Sequence, residues 1–362
     1  MCGASHSHGG QVDSVLEAAP RPADGDAIDP VHLDPVDEVR VTTLIDNTFD
    51  MLLSSETAVQ RPAMRSGLVS SPLFDEGKTH VGLLAEHGFA ALITVSSGGR
   101  SSHLLFDTGI SPDGMAINVE RLGLDFSDLQ AVVLSHGHFD HTGGLSGLLR
   151  LRGRSGLPIV VHPNAWVKRR IAVPGSEPIS LPSLSPGALR GEGFEVIERR
   201  QPSLLLEGSV LVTGEVDRTT EFERGMPPSH QAFEAERGVG GHARWHHDPT
   251  VPDDQALVVN VKGRGLVVVT GCGHAGAINI VRHAMRLTGV DRLCALIGGF
   301  HLSGPAFEPI IPATVNALSE LAPELVVPGH CSGWKAQHAL AAALPEAFAQ
   351  ASSGSAYHLA SL

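Results

Sequence analysis

Cysteine is scarce in this chain, and none of it is spaced for pairing. Only Cys2, Cys272, Cys294 and Cys331 occur in 362 residues, with no Cys-x-x-Cys and none of the density of a disulfide framework. That usage predicts a reducing compartment. Long apolar runs are also missing, so no membrane span is expected, and Met1–Gly10 lacks the charged-then-apolar order of a signal peptide. The expectation is a soluble, cytoplasmic protein with no membrane partner. Basic residues are few: Lys plus Arg total 26 against 39 Asp plus Glu, a formal charge of −13. A surface that tracks a nucleic-acid backbone needs a basic face, so no nucleic-acid partner is expected, although a local patch is not excluded. No short-period repeat is present.

The chain has the means to bury a core, with 42% hydrophobic residues, and the means to turn often, with 41 glycines. Residues 1–38 are rich in Asp, Pro, Ala and His without sustained periodicity and read as a polar N-terminal tail. Residues 39–362 read as the domain. Val39–Ile45 alternates as a strand does, and Ala90–Val95 and Ser101–Phe106 are expected to pair with it through a Gly98–Gly99 turn. Leu129–Leu134, Ile159–Val161 and Leu325–Val327 are short apolar runs of buried-strand type, and Ala256–Val261 with Gly265–Thr270 reads as a hairpin. Asn279–Leu287 and Pro309–Leu321 have helical spacing. His162–Arg170 reads as a loop opening a short helix. From 174 to 252 the texture changes to Pro, Gly and charged residues with only short apolar runs, which reads as a substrate-facing insertion or as an irregular surface excursion.

One short stretch carries most of the chemistry. His136-x-His138-x-Asp140-His141 packs four potential metal ligands into six positions, after the apolar run Leu129–Leu134 and before Leu145–Leu149, which opens a helix. Imidazole and carboxylate are ligand types for zinc and its first-row neighbours, and a strand-to-helix loop lets alternate side chains face different ions. His136 and His138 are expected to serve one ion, and Asp140 and His141 a second.

That run resembles the signature loop of the metallo-β-lactamase superfamily, whose members are mostly metal-dependent hydrolases. Phe106–Gly109 resembles its first acidic turn. Glu86–Gly88, Gly271–Gly276, Gly298–Leu302 and Pro328–Gly333, taken with the signature loop, resemble the branch named after dihydropterin ribofuranosyl-aminobenzene phosphate synthase. The resemblance runs from about residue 40 to the C-terminus. It implies an αββα sandwich, with ligands gathered at strand ends and two divalent ions, zinc first and manganese or iron as the other fits. His330, in Pro-Gly-His, matches the family's final histidine at the second metal, and Asp107 would fix a ligating histidine from behind.

The chain departs from the commonest family pattern at two places. Glu215 falls where another histidine is expected, and Cys272 where a bridging aspartate is expected. In one solution His274 supplies the missing imidazole beside His136 and His138, while Cys272 stays unligated or binds weakly. In the other, Cys272 is a thiolate ligand and His274 stands behind it. The first is preferred as the simpler compensation. His301 matches no ligand pattern and is read either as a proton donor or substrate contact, or as a buried histidine bonded to backbone.

Three enzymatic readings follow. A hydrolase would use water activated between two ions on a small ester, lactone or phosphorylated metabolite, with Asp140 orienting the nucleophile. A synthase-like enzyme would condense a dihydropterin with a phosphorylated aminobenzene riboside. A di-iron oxygen-reducing protein ranks lowest of the three, because those usually carry glutamate where this chain has His138, and a non-catalytic binding protein ranks below it. Lys168, Arg169 and Arg170 form the densest basic run and are a candidate grip for a substrate phosphate, against the plainer reading of a solvated helix face.

Overall fold

The structure is a computed structural model that describes residues 16–18, 30–63, 68–154, 156–234 and 244–362. Two sheets face each other. The first runs, edge to edge, Glu195–Glu198, Pro158–Val161, Leu129–Val133, Arg100–Phe106, Ala90–Ser97, Glu38–Ile45, Ala356–Ala360 and Val59–Gln60. The second runs Leu16–Ala18, Ser203–Leu205, Val210–Val212, Ala256–Val261, Gly265–Thr270, Leu293–Gly299 and Leu325–Gly329.

Strand alternation explains the layering. In Ala90–Ser97, Ala91, Ile93 and Val95 enter the core between the sheets, while Ala90 and Leu92 pack outward. The outward set of the first sheet is covered by helices Gly114–Leu122 and Leu145–Arg152, through Met115, Val119 and Leu148. Helices Ala277–Thr288, Ile311–Leu321 and Trp334–Ala343 cover the second sheet through Ile280, Leu318 and Leu340. Because both faces of each sheet are buried, the central strands are apolar at consecutive positions, as in Val267–Val269. Each such side chain removed from water contributes about 1.5–3 kcal/mol before chain entropy is counted. The expected αββα sandwich is the observed architecture, and Gly98 and Gly99, both at left-handed φ, close the expected two-residue hairpin. No helix among the described residues is long and apolar enough to cross a membrane.

Three expectations are corrected. The polar tail does not reach residue 38, because Val31, Leu33 and Val36 are buried in the cores and Val36 bridges to Val261. Leu16–Ala18 also adds an edge strand beside Ser203–Leu205. The segment 174–252 is not one insertion: Glu195–Glu198, Ser203–Leu205 and Val210–Val212 belong to the main sheets. What is inserted is a separate four-stranded sheet, in the order Ile179–Leu181, Arg169–Ile171, His230–Glu234, Arg244–His247. Finally, the short helix after His162 is a single 3-10 turn, Pro163–Trp166, and the basic run leads into a strand of this inserted sheet.

The topology gathers strand ends at one edge. Arg100–Phe106, Leu129–Val133 and Pro158–Val161 run parallel, as do Gly265–Thr270, Leu293–Gly299 and Leu325–Gly329. Their C-terminal ends release Asp107, Ser135–His141, Cys272–His274, Phe300–His301 and His330 towards a common place.

Candidate metal centre

Two groups of ligand atoms meet there. In the first, His136 Nε2, His138 Nδ1 and His274 Nε2 form a triangle with sides of 3.0, 3.1 and 3.2 Å. In the second, Asp140, His141, Cys272 and His330 bring their ligand atoms within 4.8 Å of one another. Cys272 Sγ is 3.1 Å from His141 Nε2 and 3.3 Å from His330 Nε2, and it also lies within reach of His136 and His274. It therefore stands between the groups. All seven side chains are buried.

The proton positions follow from what each imidazole touches on its far side. Asp107 accepts from the Ser135 amide at 2.7 Å, the Ser135 hydroxyl at 2.6 Å and His141 Nδ1 at 2.7 Å. With its proton committed to Asp107, the Ser135 hydroxyl accepts from His136 Nδ1 at 2.8 Å. His330 Nδ1 donates to Asn47 Oδ1 at 3.1 Å. His230 Nδ1 donates to the Asp248 carbonyl at 3.1 Å, so His230 Nε2 accepts from His138 Nε2, also at 3.1 Å. His136, His138 and His330 thus present an unprotonated nitrogen to the interior.

This arrangement fits a metal ion. Lone pairs of His136 and His138 face each other with at most the single proton of His274 to share, and His274 Nδ1 is buried without a partner among the described residues. A cation in the triangle satisfies all three nitrogens. Burial, reinforced by neighbouring positive groups, holds His136 and His274 well below the ordinary histidine range and His138 down to about 3, so these rings are neutral and ready to ligate. Burial also works against charge on His141, but Asp140 and Asp107 outweigh it and lift that ring to about 9. Burial would raise Asp140 too, yet His141 and His330 hold it well below the carboxylate range. Burial and the adjacent Cys331 push the Cys272 thiol up, so its use as a thiolate requires a cation to displace the proton.

The structure sorts the remaining candidates. Glu215 is not in either group: Gly214, at φ 65°, turns the chain away, and the carboxylate meets His162 Nε2 at 3.0 Å and Arg200 at 2.9 Å. His301, at φ 46°, sets its ring 4.3 Å from that of His274 and 4.5 Å from Phe307, and its buried Nδ1 has no partner among the described residues. Arg169 is buried between Asp248 and Asp253, so it is neither a phosphate grip nor a solvated side chain. Arg170 donates to Gln231 and lies 4.4 Å over the Trp245 ring, leaving Lys168 as the exposed member of that run. Sequence reasoning missed Asn47, Ser135 and His230. Asn47 follows a strand end and Ser135 precedes the ligand run, which is signal enough; His230 lies in an irregular stretch with none.

The Metallo-beta-lactamase superfamily model matches residues 85–330. The chain belongs to that superfamily. Within it, the chain is 30% identical over 258 residues to the 7,8-dihydropterin-6-methyl-4-(β-D-ribofuranosyl)-aminobenzene-5′-phosphate synthase of Methanocaldococcus jannaschii, covering 70% of this chain and 83% of that protein. An uncharacterised protein of the same organism is 27% identical over 266 residues, covering 70% and 86%. Among solved structures, a metal-dependent hydrolase of the β-lactamase superfamily superposes with a TM-score of 0.61 at 25% identity, covering 89% of this chain and 99% of that one.

Proposed function

We propose that this chain is a metal-dependent enzyme with a dinuclear centre, acting as a hydrolase on a small ester, lactone or phosphorylated metabolite. The observation that carries the reading is the pair of ligand groups joined at Cys272, with opposed imidazole lone pairs in the first. His136, His138 and His274 would hold one divalent ion, and Asp140, His141, His330 and Cys272 the other; zinc suits this nitrogen, oxygen and sulfur set. When bound, such ions supply Lewis acidity and an activated water. The chain's own residues do the rest. Asp140, kept ionised by His141 and His330, accepts a hydrogen bond and so orients a nucleophile. His87 is exposed beside them, its Nδ1 accepting from Asn47 at 3.2 Å and its Nε2 3.7 Å from Asp140. Beside His274 a cavity of about 480 Å³ is walled by Phe222, Phe300, His301, Phe307 and Ile310. Its apolar faces suit a flat ring, with His301 at the side nearest the ligands as the candidate proton donor.

A second reading has support of its own. The relative in M. jannaschii is named as a synthase, and a condensation joining a dihydropterin to a phosphorylated aminobenzene riboside would use the same ring-sized cavity. Incubating the zinc-loaded protein with phosphate esters, lactones and a dihydropterin plus the riboside separates the two by product. Cleaved ester or lactone supports hydrolysis, and a coupled product supports synthesis. A chain that retains no divalent metal after loading and desalting would sink both.

A further inference from the structure

The inserted sheet reaches the ligands themselves. Arg169 and His230 lie on adjacent strands of it, two register positions apart: Arg169 opposes Ala232, and Ile171 opposes His230. Both side chains are buried; His230 meets the ligand loop directly, and Arg169 reaches it through Asp253. Arg169 donates through Nε to Asp248 at 2.9 Å and through its two terminal nitrogens to Asp253. Asp253 accepts in turn from the amide of Gly137, between His136 and His138, at 2.9 Å. Asp248 offers its carbonyl to His230 Nδ1, and His230 Nε2 faces His138 Nε2 at 3.1 Å. Gly137 has no room for a side chain, since a Cβ there would collide with the Ala165 carbonyl.

We propose that His230 is a positioning residue for the centre: it fixes the tautomer of His138 so that Nδ1 faces His136 and His274, while Arg169 and Asp253 clamp the loop at Gly137. This rests on the metal-binding reading above. The competing account is an ionic cluster that merely stabilises the insertion. The two differ in chemistry. A stabilising cluster would be indifferent to which His138 nitrogen carries the proton, whereas a positioning histidine acts through its acceptor nitrogen. An acceptor lost behind a ligating imidazole weakens metal binding by about 10–100-fold.

The test uses the full chain, stripped of metal and titrated with cobalt(II), following visible absorption, with the thermal midpoint of the stripped protein measured in parallel. Wild type should take up cobalt in two steps. His230→Leu should weaken one step by about 10–100-fold and leave the other step and the midpoint nearly unchanged. His230→Gln, which keeps an acceptor opposite His138 Nε2, should recover most of that loss. Should the leucine variant not fold, His230→Phe fills the ring volume without an acceptor and carries the same test. Two intact steps in His230→Leu, or equal weakening in the leucine and glutamine variants, overturn this proposal alone. A wild-type chain that takes up no cobalt overturns the metal reading and this proposal with it.

Discussion

The two ligand groups share an edge of the sandwich but are supported from different directions. His141 and His330 are backed by Asp107 and Asn47, residues at the ends of main-sheet strands. The three-histidine group is backed by Ser135 on one side and, on the other, by a sheet the sandwich does not need. His274 has no backing partner for Nδ1 at all among the described residues. The mixed group is therefore a property of the sandwich, and the imidazole group is a property of the sandwich and its insertion together. They also differ in charge: one is neutral before any ion arrives, and the other holds protons that an ion must displace.

The variant that should break both groups at once is Asp107→Ala, since that carboxylate serves Ser135, His136 through Ser135, and His141. Metal content by elemental analysis should fall at both positions, with activity lost alongside it; retention of either ion at wild-type affinity would contradict the shared support. His138→Ala should remove only the ion of the imidazole group. Next comes the pair His274→Ala and Cys272→Ser. The first should lower metal content at one position, while the second, because the thiol touches both groups, should weaken both by smaller factors. The reverse ranking would make Cys272 the stronger ligand and place His274 behind it.

Acidity sharpens the contrast. His141, lifted to about 9, carries a proton that an ion has to replace, so apparent affinity at the mixed group should fall as pH drops from 9 to 6, by roughly tenfold per unit for that proton. His138, held at about 3, is already unprotonated across that range, so the imidazole group should show little dependence. Metal titrations at several pH values would show one sloping and one flat affinity; parallel slopes would deny the difference. A smaller effect is expected away from the ligands: Phe307→Ala should raise KM for a ring-bearing substrate several-fold while sparing metal content. Smallest of all, Glu215→Gln should leave metal content unchanged and stability within about 0.5 kcal/mol, the usual range for an exposed position.

What could be read in advance follows the range of the forces involved. Alternation in Ala90–Ser97, the Gly98–Gly99 turn and the ligand spacing at 136–141 are local patterns, and each is legible because neighbours in sequence are neighbours in space. Glu215 stays outside both groups for a local reason of a different kind: Gly214, at positive φ, precedes it, and its carboxylate meets His162 and Arg200. Arg169 looked like a surface cation because Lys168 and Arg170 flank it, but strand alternation buries the middle member of such a run while its neighbours face the other way. The tail ends before Val31, which the sequence does not show because Val31, Leu33 and Val36 are too few to set a period, yet each packs into an apolar core built by other strands.

By itself the sequence made the sandwich and the candidate ligands legible, since hydrophobic period marks buried strands and His-x-His-x-Asp-His is a ligand set that suits first-row ions. It could also nominate His274 against Cys272. That both reach the candidate centre, that Glu215 does not, and that an inserted sheet reaches back to His138 appear only in the folded chain. Those outcomes depend on contacts such as Arg169 with Asp253, 84 residues apart, and His230 with His138, 92 residues apart. A donor and an acceptor so far apart leave no mark in composition or spacing, and they meet only because the sheets that carry them pack.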